Sequence, residues 1–418
     1  MSDRVAVVGA GLSGLCCAGV LHQAGREVAL FDRSDAPGGR VRTDEVDGFT
    51  LDRGFQVLLT AYPAVKAHLD LEALQLREFV PGASVHWQGK FHRLADPVRH
   101  PALALESAAS PLFSMSDKLR AAKLRVDVGS LGIDEIFALP DMTLRHFLTE
   151  KGFSEEFLAN FIRPFFGGIF LERQMETSAR MFAFVFKMLA EGSTAVPAKG
   201  MEAIPRQLAA CLPPERIRSS TGVESLLSAT DGVRGVRLTS GEEWEAGATV
   251  VATEAETAAR LIGIPLPLEY RASTCLYYEI PEPLSSDRLL MLFTEEDALV
   301  NNACMLSNVA PEYAPDGRFL LSATVLGLPE LSDADLDIRV RADLGSRFPS
   351  ANSALWRLLR IYRVPWSQIA QPEGIWSRLP STRTSTRGLY LAGELTRSSS
   401  IEGALDAGAR AAAAVLAQ

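Results

Sequence analysis

The sequence predicts an α/β fold in two lobes: a parallel sheet, and an α+β lobe of helices and antiparallel strands inserted into it. Three observations predict this. The chain opens on a strand, glycine turn, helix, strand unit over Arg4–Thr43. It closes on a strand at 389–392 and a helix from Ile401 to Leu416. Between them, helix-rich and alternating-strand stretches interrupt the pattern. At 418 residues the chain is longer than one core usually serves, which also favours two lobes.

The first unit is justified residue by residue. Val5-Ala6-Val7-Val8 is a continuous apolar run, as in a parallel strand buried on both faces. Gly9, Gly11 and Gly14 follow in G-x-G-x-x-G spacing, with Ala10, Leu12 and Ser13 between them. The first glycine allows the tight turn, the second lets a pyrophosphate approach, and the third lets the helix pack on the strand. A helix over about Leu12 to Ala24 stops at Gly25, and Val28–Phe31 is the second strand. Asp32 lies 18 residues past Gly14, where a carboxylate would accept from a ribose hydroxyl and repel a 2'-phosphate. This is a Rossmann-like dinucleotide site, with NADP disfavoured.

The next stretch, Pro37-Gly38-Gly39-Arg40-Val41-Arg42, offers amides and a guanidinium to the other side of a pyrophosphate. In Leu51-Asp52-Arg53-Gly54-Phe55-Gln56-Val57, Gly54 allows close approach of something flat. At the far end, the strand 389–392 runs into Gly393 and Glu394, a carboxylate that can accept from ribityl hydroxyls. The helix beginning at Ile401 places its N-terminus where it would stabilise negative charge on a reduced flavin ring. A nicotinamide cofactor needs neither feature, so the pair selects FAD over NAD.

GAGLSGL, Asp32 and PGGRVRT resemble the start of the FAD-dependent amine oxidase and phytoene desaturase superfamily. Val196–Met201 with Ile204–Leu208 is similar to its glycine-methionine segment, and Leu389–Glu394 with Ser400–Gly408 to its closing flavin motif. The resemblance covers a little over a third of the chain. It implies a flavoprotein oxidoreductase with non-covalent FAD, held by the residues above and by Arg33, Arg53, Phe55, Gln56, Val57, Val223 (through its backbone to adenine), Ser400, Ile401 and Ala404. The resulting division is a discontinuous FAD-binding domain, residues 1–60, 196–265 and 375–418, and a substrate-binding domain, residues 61–195 and 266–374.

The middle of the chain supplies the rest. Residues 61–195 read as mostly helical, with Lys118–Val128 and Leu144–Leu148 amphipathic and one hairpin over 84–94. Phe153, Phe157, Phe161 and Phe165 recur every four residues, followed by Phe166, Phe170, Phe182, Phe184 and Phe186. Nine of the twenty phenylalanines fall in this window, which is a packed core face, an aromatic-walled cavity for an apolar substrate, or both. Residues 215–253 alternate as strands with turns at Asp231-Gly232 and Ser240-Gly241. Antiparallel strands are expected at 274–280, 289–293, 299–306 and 319–325, then a helix over 333–348 and a strand through 361–364.

Composition excludes several functions. A net charge of -9 disfavours nucleic acid as a partner. Five scattered cysteines read as small buried hydrophobes, not a disulfide framework or zinc site, and no metal is expected. The six histidines show no metal or triad spacing. Arg163 reads as either a structural ion pair or a cation for a substrate carboxylate. No signal peptide or membrane span is read, so a cytoplasmic location is expected, with peripheral membrane contact open.

Many amine oxidases of the superfamily carry a lysine near flavin N5 on the strand matching Ala272–Tyr278, and an aromatic cage residue at the position of Ser400. This chain has neither. The sequence therefore favours an FAD-dependent desaturase or dehydrogenase taking a hydride at flavin N5 from a hydrophobic, isoprenoid- or carotenoid-like small molecule, with dioxygen or a quinone as electron acceptor. The alternatives are an amine oxidase that uses dioxygen and releases peroxide, and a non-catalytic binding module such as the GDP dissociation inhibitors. No catalytic residue is assigned.

Overall fold

A computed structural model describes residues 3–96, 99–230 and 232–418. In chain order the elements that position the site are β1 (Arg4–Val8), α1 (Leu12–Gln23), β2 (Glu27–Phe31), β3 (Thr43–Val46), β4 (Phe49–Asp52) and α2 (Pro63–His68). Then come β5 (Gly82–Trp87), β6 (Lys90–Ala95), α3 (Ala104–Ala109), α4 (Met115–Gly129), α5 (Leu144–Glu150), α6 (Arg163–Phe170), α7 (Ala179–Glu191) and α8 (Ala203–Ala209). Next are β7 (Ile217–Arg218), β8 (Val223–Ala229), β9 (Gly232–Leu238), β10 (Glu243–Glu245) and β11 (Ala248–Val251). The chain ends with β12 (Tyr270–Ile280), β13 (Leu290–Phe293), β14 (Asn302–Met305), β15 (Phe319–Leu326), α9 (Asp333–Arg347), β16 (Arg357–Ile369), β17 (Leu389–Leu391) and α10 (Ile401–Leu416).

The apolar runs pair as expected. A five-stranded parallel sheet has the order β7-β2-β1-β11-β17, so the first and last strands of the chain share one sheet. Val8 sits opposite Phe31 on one side and Val251 on the other. Both faces are covered, which is why these strands read as continuous apolar runs rather than alternating ones. Helices α1 and α10 cross closely on it: a Cβ at Gly408 would lie 2.2 Å from the Ser13 carbonyl oxygen, so the crossing requires glycine there.

A seven-stranded sheet has the order β16-β12-β15-β14-β13-β5-β6. The sequence predicts antiparallel strands here, and one pairing departs from that: β13 lies parallel to β5. The hairpin β5–β6 comes from the first inserted stretch and extends a sheet built from the second, so no turn links the paired strands and no rule forces them antiparallel. Two bounds also differ. β16 is far longer than 361–364, and the strand expected over 299–306 narrows to β14 before a short helix, Leu306–Val309. Strands β8, β9 and β10 form a small antiparallel sheet; the turn residue Asp231 lies outside the described residues.

The phenylalanine run is a stacked ladder. Phe153 and Phe157 stack at 4.6 Å, and Phe161 and Phe165 at 5.3 Å. A spacing of four drifts around an ordinary α-helix. Here Leu158–Ile162 form a π-helical turn, and Phe157 and Phe161, one before it and one within it, meet tilted by 37° at 6.0 Å, so the ladder is two stacked pairs joined by a tilted contact. Phe153, Phe157, Phe166, Phe170, Phe182 and Phe184 are buried, and Phe161, Phe165 and Phe186 partly so. Most of the ladder is therefore packed core. Of the five cysteines, Cys16, Cys17, Cys275 and Cys304 are buried as expected, while Cys211, past the end of α8, is exposed.

Candidate functional site

The site begins at the glycine turn, where each glycine has its own steric reason. Gly9 takes φ +106°, and a Cβ there would meet the Ala252 carbonyl oxygen at 2.7 Å. A Cβ on Gly14 would fall 1.8 Å from the Gly9 carbonyl oxygen, so only glycine lets α1 start this close to β1. Gly11 differs: a Cβ there meets nothing within 4 Å. Its open side is where a pyrophosphate would approach the N-terminus of α1. Ala10 and Leu12 are buried; Ser13 is buried too, and its hydroxyl has no hydrogen-bond partner among the described residues.

Asp32 closes β2 and accepts from the Ala10 amide at 2.6 Å and the Ser34 amide at 2.7 Å. One carboxylate oxygen thus staples the glycine loop to the strand end, and each oxygen keeps a lone pair for a ribose hydroxyl. The Thr221 amide donates to the Asp32 carbonyl at 2.7 Å, which carries the start of β8, and so Val223, up to this end of the sheet. Arg33 points outward and pairs with Glu254 at 3.4 Å.

The second glycine turn docks on the first. The Gly38 amide donates to the Ala10 carbonyl at 2.8 Å, and Gly38 and Gly39 take φ +130° and +60°. Arg40 gathers three distant parts of the chain. It ion-pairs with Glu394 at 2.7 Å and donates to the carbonyls of Trp366 at 3.0 Å and Ser367 at 2.8 Å. Gln56 donates to the Arg40 carbonyl at 3.1 Å. Gly393 takes φ +109°, and the Ser399 hydroxyl donates to Glu394. Ser400 caps α10 through the Gly403 amide at 2.9 Å, with Ile401 and Ala404 half-buried on the next turn. The closing motif therefore meets the opening one, as the cofactor reading requires.

Arg53, Gly54, Phe55, Gln56 and Val57 lie beside this cluster. Arg53 binds Asp44 at 2.8 Å and, with the Tyr362 hydroxyl at 2.7 Å, holds that carboxyl below the usual range. Gly54 takes φ +103°, and Val364 is what its added Cβ would touch, at 3.6 Å. Phe55 packs edge-on to Phe79. Arg163 pairs with the exposed Glu296 at 3.4 Å.

Sequence reasoning missed three groups. Asp52 is buried and accepts from Thr43 at 2.6 Å, the Met201 amide at 2.8 Å and the Tyr313 hydroxyl at 2.9 Å. Burial pushes it up to about 6 against those three bonds. The carbonyls of Trp366 and Ser367 and the Ser399 hydroxyl carry no motif and become visible only through their contacts with Arg40 and Glu394. The third group is Glu402, in the first turn of α10, which accepts from the Ala64 amide at 2.8 Å. Burial pushes Glu402 up to about 7.

Because its folded value lies above the ordinary 4.5, the protonated form of Glu402 is the one the fold favours. Its contribution is full below about 4.5 and is lost as pH rises through about 7. In Glu402→Gln, thermal melts should lose that part of the decline between these limits. An unchanged slope would contradict the assignment.

The residues fit a flavin dinucleotide: an open approach at Gly11, two helix N-termini, and an acidic and a basic side chain at the expected places. Comparison with known proteins agrees. The flavin containing amine oxidoreductase family matches residues 12–416, and the chain belongs to that family. It is an oxidoreductase, and its cofactor is a flavin.

Among relatives, it is 37% identical to an L-amino-acid oxidase of Pseudechis australis over 86 residues, 20% of this chain and 17% of that one. It is 52% identical to a phytoene dehydrogenase of Streptomyces griseus over 56 residues, 13% of this chain and 11% of that one. These matches thus span less than a fifth of either relative's length. An oxidoreductase from Methanosarcina mazei shares the fold at 20% identity, with a TM-score of 0.76 over 99% of this chain and 100% of that one.

Among the described residues, no group of His, Cys, Asp or Glu is placed to hold a metal, and no helix is long and apolar enough to cross a membrane.

Proposed function

We propose that the chain is an FAD-dependent desaturase or dehydrogenase of a hydrophobic, isoprenoid-like small molecule, with dioxygen or a quinone as acceptor. In this reading residues 1–60, 196–265 and 375–418 hold FAD, and residues 61–195 and 266–374 cover the substrate. The bound flavin supplies a hydride acceptor at N5. The protein's part is to orient both partners and exclude water. Gly9–Gly14, Asp32 and Gly38–Arg40 bind the ADP half; Gly393, Glu394 and the N-terminus of α10 bind the flavin half.

The observation that carries the substrate class is Ser400. It stands where an amine cage would need an aromatic wall, and its hydroxyl is spent capping α10. The absence of lysine from 272–278 agrees with it. Non-covalent attachment is supported by the buried thiols: burial pushes Cys16 up to about 12 and Cys275 up to about 11, which makes both poor nucleophiles.

The partial match to an amino-acid oxidase favours the second reading, an amine oxidase. Anaerobic mixing distinguishes them. Isoprenoid polyenes should bleach the flavin band and a panel of amines and amino acids should not. Bleaching by amines alone, with peroxide released in air, would replace the first reading by the second.

A further inference from the structure

Three consecutive serines, Ser398, Ser399 and Ser400, lead into α10, and nothing in the sequence tells them apart. The structure does. Ser400 caps α10. A Cβ at Gly403 would lie 1.9 Å from the Ser398 carbonyl oxygen, so glycine there lets the serine run pack on the first turn of the helix. Ser399 is buried and reaches a different element. Its hydroxyl accepts from the Ile369 amide at 3.0 Å and donates to Glu394. Its own amide donates to the side-chain oxygen of Gln371 at 3.0 Å.

The neighbours fix the polarity of that hydroxyl. An amide N–H only donates and a carboxylate only accepts, so the single Ser399 hydroxyl proton points at Glu394. Ile369 is the last residue of β16 and pairs with Tyr270 in the seven-stranded sheet, whereas Glu394 follows β17 of the parallel sheet. The Gln371 carbonyl accepts from the Ser178 amide at 2.8 Å, which extends the anchor to the start of α7. Ser399 thus ties one sheet to the carboxylate at the end of the other.

Arg40 does the same from the other carboxylate oxygen. It pairs with Oε1 of Glu394 while Ser399 holds Oε2, and its remaining donors also go to β16, at Trp366 and Ser367. A carboxyl group held by one contact can pivot about it. Held at both oxygens it keeps one orientation, with a lone pair left on each for a polyol hydroxyl.

We propose that Ser399 is a positioning residue for the flavin, acting through Glu394: it fixes the carboxylate that meets the ribityl chain relative to β16. The proposal rests on the reading that Glu394 faces the flavin half, and it holds whichever substrate the flavin oxidises.

The test is titration of the purified apoprotein with FAD, followed by flavin fluorescence, and with ADP, followed by calorimetry. Ser399→Ala should weaken FAD about tenfold or more, the share of a hydrogen bond to a charged group. ADP affinity should stay within about twofold, because the ADP half lies at the glycine turn and Asp32. In a Glu394→Ala background, Ser399→Ala should add no more than about twofold, since the group it acts through is gone. Ser399→Cys keeps the shape and donates only weakly. It takes the place of Ser399→Ala if that variant does not fold.

The proposal is overturned if Ser399→Ala and Ser399→Cys bind FAD like the parent while Glu394→Ala does not; the place of Glu394 at the flavin then stands. It is overturned if ADP affinity falls along with FAD affinity, which a merely structural serine would produce. It is overturned if the losses from Ser399→Ala and Glu394→Ala multiply, which would make the serine independent of Glu394. Parent-like FAD affinity in Glu394→Ala would remove the underlying reading and the proposal together.

Discussion

Gly11→Ala should fold and lose its flavin, whereas Gly14→Ala should not fold normally. The two sites are three residues apart and the same methyl group is added. At Gly14 that methyl would sit 1.8 Å from the Gly9 carbonyl oxygen, so the turn or the start of α1 must move. Backbone cannot yield as a flexible side chain can, and a cost of several kcal/mol, on the order of 3 or more, follows.

At Gly11 the methyl meets nothing within 4 Å, and the backbone there, φ -74° and ψ -179°, is open to any residue. The apo protein should melt within about 2 °C of the parent. The added atom occupies the approach to the first turn of α1, so flavin affinity should fall about a hundredfold or more. Differential scanning fluorimetry of the apo proteins and flavin titration separate the two. If Gly11→Ala kept full affinity, the pyrophosphate would not lie against this turn.

Asp52 should give the largest stability effect away from the glycines. Thr43 and the Met201 amide donate to one of its oxygens and Tyr313 to the other. Asp52→Ala strands three buried donors and should cost about 3–5 kcal/mol. Asp52→Asn should be tolerated. Its carbonyl can take the first oxygen's two bonds, and its amide can donate to a rotated Tyr313 hydroxyl.

The pH dependence has a definite sign. The folded pKa of about 6 lies above the ordinary 3.8, so the fold favours the protonated acid. That stability is complete below about 3.8 and falls as pH rises through about 6. By neutral pH the loss is about 3 kcal/mol. The Asn variant should remove this slope, so that it gains on the parent as pH rises. Urea titrations at several pH values check both points, and parallel curves for parent and Asn variant would contradict them.

What was legible in the sequence was what local sterics dictate. Gly9, Gly11 and Gly14 announce themselves because one backbone path permits only glycine at two of them, and the apolar runs at 5–8, 28–31 and 248–251 are buried on both faces. The apolar run of β11 marks a strand that re-enters the parallel sheet, but its place between β1 and β17 is set by the structure. The parallel contact of β13 with β5 was not legible, because nothing within about 200 residues of intervening chain marks it. Asp52 sat inside a motif already noticed. Its partners, at 43, 201 and 313, lie on three other segments, so its role was invisible. The same holds for Arg40, whose acceptors at 366, 367 and 394 come from the opposite end of the chain. Substrate class was the least legible, since a flavin carries the hard chemistry and asks for no acid–base pair of recognisable spacing.

The most direct test of the central claim, that the two ends of the chain clamp a single FAD, is to heat-denature the purified protein and identify what leaves it. The expected result is FAD in the supernatant at one equivalent per chain, with a colourless pellet. A protein that is colourless from the start and takes up no FAD on reconstitution would contradict the claim, as would flavin that remains on the denatured chain.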